Sequence, residues 1–187
     1  DLDDIRSNLS GHYALGADID ASDTKDWNGG AGFAPLGDDS NMFHGVLDGL
    51  GHVINGLTIN RPGTDYVGLI GRTWYGIARN IGLVNANITG NKYVGGLVGT
   101  LDGNDGHIIR SFVSGSINGV SVVGGLVGLM KTAHTISESY ATGTVTGQEY
   151  YVGGLVGWQG GRHAQPILRH NVCARQGGRR RLSGQST

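Results

Sequence analysis

Between residues 84 and 147 the chain writes one short polar–apolar pattern three times. Val84, Ala86 and Ile88 alternate with Asn85, Asn87 and Thr89. Val113, Gly115 and Ile117 alternate with Ser114, Ser116 and Asn118, and Ala141, Gly143 and Val145 with Thr142, Thr144 and Thr146. A period of two marks a strand with one buried face. Val84, Ile88, Val113, Ile117 and Val145 are therefore expected in a core, with the Asn, Ser and Thr side chains outside. The second inward column is small in every copy (Ala86, Gly115, Gly143), which predicts that the opposite wall of a narrow core comes close.

A second block recurs at the same step. It reads Tyr66-Val-Gly-Leu-Ile-Gly71, Tyr93-Val-Gly-Gly-Leu-Val-Gly99, Val122-Val-Gly-Gly-Leu-Val-Gly128 and Tyr151-Val-Gly-Gly-Leu-Val-Gly157, with final glycines 28, 29 and 29 residues apart. Two blocks sharing one period indicate a tandem repeat whose units stack. The predicted fold is all-β, a parallel β-helix with coils of about 28–29 residues, adjacent coils pairing about 4.8 Å apart. Gly95, Gly96, Gly99, Gly124, Gly125, Gly128, Gly153, Gly154 and Gly157 are expected to form its corners. A bulge at Gly95-Gly96 would shift the register, so the pattern leaves open which of Leu97 and Val98 faces inward.

Three regions follow. Residues 63–161 hold the repeats. Residues 1–62 depart from them, with strand-like stretches at 15–19 and 53–59 and a Gly/Asp-rich excursion at 21–42, whose Trp27 and Phe33 are expected to cap the first coil. Residues 162–187 form a basic non-repeat tail, expected to be irregular and to pair poorly.

Composition agrees with this division. Glycine supplies 36 of 187 residues, far above the usual share of about 7%, without collagen spacing, and this disfavours long helices. The net charge of −1 conceals −8 over residues 1–65, +1 over 66–157 and +6 over 158–187. Both charged ends read as solvated surface, not as nucleic-acid or membrane contacts. A single cysteine, Cys173, excludes an intrachain disulfide. No apolar run reaches the ~18 residues of a membrane span.

The Gly-Gly-Leu-Val-Gly copies, with Ile136-Ser-Glu-Ser-Tyr-Ala-Thr-Gly-Thr-Val-Thr-Gly147, resemble the GLUG repeat of large bacterial surface proteins. Residues 43–59 are similar to the segment preceding such repeats in filamentous-haemagglutinin-like exoproteins. The resemblance spans roughly residues 10–157. It implies a right-handed parallel β-helix, exported to the surface of a Gram-negative bacterium through an outer-membrane secretion partner and used in adhesion to a glycan or host protein. GLUG repeats also occur as accessory segments of IgA-specific metallopeptidases.

Catalysis is not expected. A polysaccharide lyase or hydrolase, the class-different alternative, needs converging carboxylates, and residues 66–157 offer only the scattered Asp102, Asp105, Glu138 and Glu149. No His-Glu-x-x-His occurs, and no Gly-Lys-Ser/Thr follows a Gly-rich turn. No cofactor is expected; Asp18 and Asp20 leave a surface calcium open. The candidate ligand face is the outward array Asn87, Ser116, Thr142, Thr144 and Thr146. The aligned Tyr66, Tyr93 and Tyr151 read equally as contact aromatics or as corner packing. Finally, a reading frame shifted by one nucleotide over His170–Gly177 permits Tyr-Ala-x-Gly-Lys/Arg-Val, the repeat's own motif.

Overall fold

The computed structural model describes residues 2–103, 105–131 and 134–160, together with the backbone of 175–176. The chain winds into a parallel β-solenoid whose strands, numbered in chain order, fall into four sheets. One five-stranded sheet stacks β1 (His12–Ala14), β3 (Val46–Asp48), β7 (Ile77–Arg79), β11 (His107–Ile109) and β15 (Thr135–Ser137). A broad seven-stranded sheet holds β2 (Ile19–Asp20), β4 (Val53–Asn55), β5 (Thr58–Asn60), β8 (Gly82–Thr89), β12 (Phe112–Gly119), β16 (Tyr140–Gly147) and β19 (Arg175–Gln176). A four-stranded sheet runs through β6 (Ile70–Trp74), β10 (Val98–Asp102), β14 (Val127–Met130) and β18 (Val156–Gln159). A three-stranded sheet joins β9 (Lys92–Gly95), β13 (Ser121–Gly124) and β17 (Val152–Gly153).

Each named strand pairs in parallel with its equivalent one coil away. In the four-stranded sheet Ile70, Val98, Val127 and Val156 lie in register, at steps of 28, 29 and 29 residues. In the broad sheet Ile88, Ile117 and Val145 share one column. The spacing read from the sequence is thus the height of one coil.

The core runs as a ribbon between the sheets. Ile88, Val113, Ile117 and Val145 are buried as the alternation requires. Val84 is not a core residue: it is half-buried, and Leu83, fully buried, takes the inward place. The cause is a β-bulge. Leu83 pairs with Val113 and Ala86 with Gly115, so Val84 and Asn85 together oppose Ser114. Asn85 absorbs the extra residue at φ 54, a left-handed conformation that Asn tolerates better than most residues. Leu97 and Val98, whose facing the pattern left open, are both buried in the core.

The small column Ala86/Gly115/Gly143 has a cause other than a close opposite wall. Gly115 and Gly143 stand at φ 134 and 113, and a Cβ on Gly115 would lie 2.1 Å from the Ala86 carbonyl of the neighbouring coil. The close opposite wall is met at the corner glycines instead. A Cβ on Gly96 would meet Val113 Cγ1 at 2.5 Å, and one on Gly125 would meet Ala141 Cβ at 2.7 Å.

Residues 1–62 contribute rungs to the stack. Strands β1 to β4 continue the five-stranded and broad sheets, and Leu36 of the excursion and Phe43 just after it bridge in parallel to Ile70 and Thr73. The 3₁₀ turn Asp3–Ser7 closes this end with Leu2 and Ile5 buried. Arg6 ties the turn down: Nη1 donates to Pro35 O (2.9 Å), Nη2 donates to Ala34 O, and the guanidinium lies 4.8 Å from the Phe33 ring centroid. Phe33 is buried as a cap residue should be, whereas Trp27 is 40% exposed. The expected irregularity of the tail concerns residues that lie outside the described ones, apart from Arg175–Gln176, which pair with Thr144–Val145 of β16.

Candidate binding face

The five residues singled out as a ligand face sit together on the outer side of the broad sheet. Register places Thr58, Asn87, Ser116 and Thr144 in one column, and Asn60, Thr89, Asn118 and Thr146 in the next. Ser114 and Thr142 form a third. The array is thus a grid of short polar side chains repeating about every 4.8 Å along the stack. Asn87 and Thr144 are exposed; Ser116, Thr142 and Thr146 are half-buried. Part of the grid is satisfied internally: Asn118 Nδ2 donates to Ser116 Oγ at 3.2 Å, and Asn85 Nδ2 donates to Asn55 Oδ1 at 3.0 Å. The aromatic pair Phe112 and Tyr140 borders it, stacked at 5.2 Å and 6°.

A second surface forms where the Gly-Gly-Leu-Val-Gly corner turns. Tyr66, Tyr93, Val122 and Tyr151 occupy one column and share left-handed backbone, with φ of 60, 58, 56 and 62. Tyr66 and Tyr93 stack at 5.1 Å, with Arg72 lying 5.2 Å from the Tyr66 centroid. In the last coil Tyr151 lies 5.8 Å from Trp158. Tyr66 and Tyr93 therefore pack on each other along the corner while staying half-buried, and Val122 interrupts the aromatic column.

Two carboxylates on the coils are paired across coils. Asp102, 3% exposed, receives Arg72 Nη2 at 2.5 Å, Lys131 Nζ at 2.8 Å and the Gly103 amide at 2.9 Å. Arg72 also reaches Asp39 of the excursion. Burial pushes the Asp102 carboxyl up, but the Lys131, Arg72 and Gly103 hydrogen bonds outweigh it and hold the group below 3.8. Asp48 repeats this arrangement on the five-stranded sheet: burial raises it, and hydrogen bonds from Asn80, Leu50 N–H and Arg79 bring it below 3.8. Each carboxylate thus joins neighbouring coils while also accepting an amide of its own turn.

Asp18 and Asp20, the residues considered for calcium, each engage the protein. Asp18 Oδ1 accepts from the Val53 amide (2.9 Å) and faces His52 Nδ1 (3.1 Å), while Asp20 Oδ1 accepts from the Ser22 amide (3.0 Å). Among the described residues no group of three or more His, Cys, Asp or Glu is placed to hold a metal ion. No described helix is long and apolar enough to cross a membrane.

Sequence reasoning missed a buried serine ladder. Ser111 Oγ donates to Ile109 O (2.9 Å), and the Ser111 amide donates to Ser139 Oγ (3.0 Å), which in turn donates to Ser137 O (2.8 Å). Its signal was present in the sequence: a Ser immediately precedes the aromatic residue opening both β12 and β16.

Residues 90–118 match the family model described as the GLUG motif. The chain carries a GLUG motif at these residues. The matched span covers β9 to most of β12, so one GLUG unit comprises the glycine corner plus the next coil's alternating strand. Halomucin of Haloquadratum walsbyi is 40% identical over 162 residues, covering 83% of this chain and 1% of its own length. A candidate Gly-rich membrane protein of Evansella cellulosilytica is 39% identical over 111 residues, covering 58% of this chain and 13% of its own. The chain thus spans only a small part of both curated relatives. Among solved structures, a candidate immunoglobulin A1 protease from Bacteroides ovatus superposes with a TM-score of 0.56 at 21% identity, over 86% of this chain and 60% of that one. That likeness is one of fold.

Proposed function

We propose that this GLUG solenoid is a structural and adhesive segment of a cell-surface protein, presenting its polar face and loops to a glycan or a host protein without catalysing a reaction. The observation that carries this reading is the grid Asn87/Ser116/Thr142/Thr144/Thr146, an outward, in-register array on a continuous sheet. The coil carboxylates Asp48 and Asp102 are consumed in coil-to-coil ion pairs, which favours scaffolding over acid–base chemistry. The surface assignment draws on the relatives named a halomucin and a membrane protein; the archaeal source of the halomucin widens the range beyond Gram-negative bacteria. Export through an outer-membrane partner, the haemagglutinin-like assignment and the absence of a cofactor belong to the same proposal.

The test is a glycan and host-protein array probed with the labelled chain beside a chain carrying Asn87→Ala, Ser116→Ala and Thr144→Ala. Binding that falls at least tenfold in the triple variant supports the assignment. Turnover of a pectin or related polymer by the intact chain would replace it with the lyase or hydrolase alternative.

A further inference from the structure

The sequence holds two Asn-x-Ser/Thr triplets with no proline at the centre, Asn8-Leu9-Ser10 and Asn87-Ile88-Thr89. This is the pattern at which an asparagine side chain takes an N-linked glycan. The fold treats the two triplets differently.

Asn87-Ile88-Thr89 lies inside the broad sheet. Asn87 and Thr89 belong to the polar grid, but Ile88 between them is 0% exposed. Strand β8 is paired on both edges here, with Asn87 opposite Thr58 on one side and Ser116 on the other. Lifting this triplet into an enzyme cleft would break both ladders and pull Ile88 out of the core.

Asn8-Leu9-Ser10 lies between the 3₁₀ turn Asp3–Ser7 and β1, outside any strand. Asn8 and Ser10 are both exposed. The turn is already bent: Gly11 N donates to Asn8 O (3.0 Å), Tyr13 Oη donates to the same oxygen (2.6 Å), and Ser10 N donates to Asn8 Oδ1 (3.1 Å). The last of these bonds bears on reactivity. An amide nitrogen is a poor nucleophile because its lone pair is shared with the carbonyl. As Nδ2 gives up a proton, charge collects on Oδ1, and a donor already aimed at that oxygen stabilises it without reorganisation.

We propose that Asn8 is a glycan acceptor, modified on the folded chain by an oligosaccharyltransferase whose donor is an oligosaccharide on a polyprenyl diphosphate, and that Asn87 is passed over. In the transfer Nδ2 of Asn8 bonds to the anomeric carbon and the bond from that carbon to the diphosphate oxygen breaks. The diphosphate leaves with the electron pair, and a base of the transferase takes the Nδ2 proton. The assignment rests on the surface location proposed above, since N-linked glycans belong to exported chains. Asn8 precedes the five-stranded sheet, so its glycan attaches outside the polar grid.

The test incubates the folded chain with a purified single-subunit oligosaccharyltransferase that accepts the bare triplet, together with a labelled polyprenyl-diphosphate oligosaccharide. Mass spectrometry of tryptic peptides reads the occupancy of each site. The peptide carrying Asn8 should gain the oligosaccharide mass, at an occupancy about tenfold or more above that of Asn87, whose reaction needs local opening of the sheet. Ser10→Ala keeps the amide that closes the turn and should lose the product at Asn8, while Ser10→Thr should keep it. The isolated peptide 80–92, held by no sheet, should be modified at Asn87 by the same enzyme. An unmodified Asn8, equal occupancy of Asn8 and Asn87 in the folded chain, product that survives Ser10→Ala, or an 80–92 peptide that stays unmodified would overturn the assignment. The reaction needs neither export nor a ligand on the grid, so its failure would leave the array test of the polar face to be decided separately.

Discussion

At the scale of single residues, the fold concentrates backbone strain at repeated positions. Asn80, Arg110 and Glu138 take φ of 52, 46 and 50 at the corner between the five-stranded and broad sheets, as Tyr66, Tyr93, Val122 and Tyr151 do at the other. Left-handed backbone costs a non-glycine residue on the order of 1 kcal/mol, and the packing of coil on coil holds it in place. Glu138 is exposed, so its side chain can be removed without opening the core. Glu138→Gly is expected to raise stability by about 0.5–1 kcal/mol and Glu138→Val to lower it by a similar amount, as read by urea denaturation. The bulge at Asn85 makes a second residue-scale prediction. Leu83→Ala should cost about 2–5 kcal/mol, and Val84→Ala less than about 1; equal costs would place Val84 back in the core. By the same logic Ile117→Ala should cost about 2–5 kcal/mol while Ser116→Ala leaves the unfolding midpoint nearly unchanged.

At the scale of the repeated element, the last glycine of Gly-Gly-Leu-Val-Gly is explained by crowding. A Cβ on Gly128 would lie 2.6 Å from Tyr93 C and 2.7 Å from Gly99 O, backbone atoms that cannot step aside. Gly128→Ala should cost about 3 kcal/mol or more, whereas Gly63→Ala, with open space around its Cβ, should be close to neutral; thermal unfolding of the two variants separates them. This element also shows what was legible beforehand. The period and the columns Ile88/Ile117/Val145 were readable because both strands pair in one unbroken register there. Val84 was misplaced because a bulge leaves no mark in a polar–apolar pattern. The Asp39–Arg72–Asp102–Lys131 chain was invisible for another reason. Its members lie in successive coils, but in the Arg72 column the following positions are Thr100 and Leu129, so no repeat of residue type announces it. The polar grid follows from the register alone, whereas its internal hydrogen bonds depend on side-chain geometry that spacing does not contain.

At the scale of the whole molecule, acid acts on the stack at two heights. His134 is buried and accepts the Gly106 amide at Nδ1 (3.1 Å), while its Nε2 has no hydrogen-bond partner among the described residues. Burial pushes its pKa below 6.5 against the opposing pull of Asp102. The unfolded chain therefore binds the proton first, and stability should fall as pH drops through about 6.5. Thermal midpoints measured between pH 8 and 5 should decline, and His134→Gln, which keeps an acceptor for Gly106, should flatten the decline. Asp48 and Asp102 act lower. Their folded pKa values lie below 3.8, so the stability they lend is present above that value and is lost as pH falls through the folded ones.

The stacking direction has a mechanical consequence. A coil of 28 or 29 residues advances the solenoid by a single inter-strand spacing, about 4.8 Å, yet the same residues drawn straight span roughly 95 Å. Pulled from its ends, each coil that peels away would therefore release on the order of 90 Å of slack. A solenoid loaded along its axis would lengthen in steps as coils peel, and each step would lower the tension carried by whatever is linked in series with it.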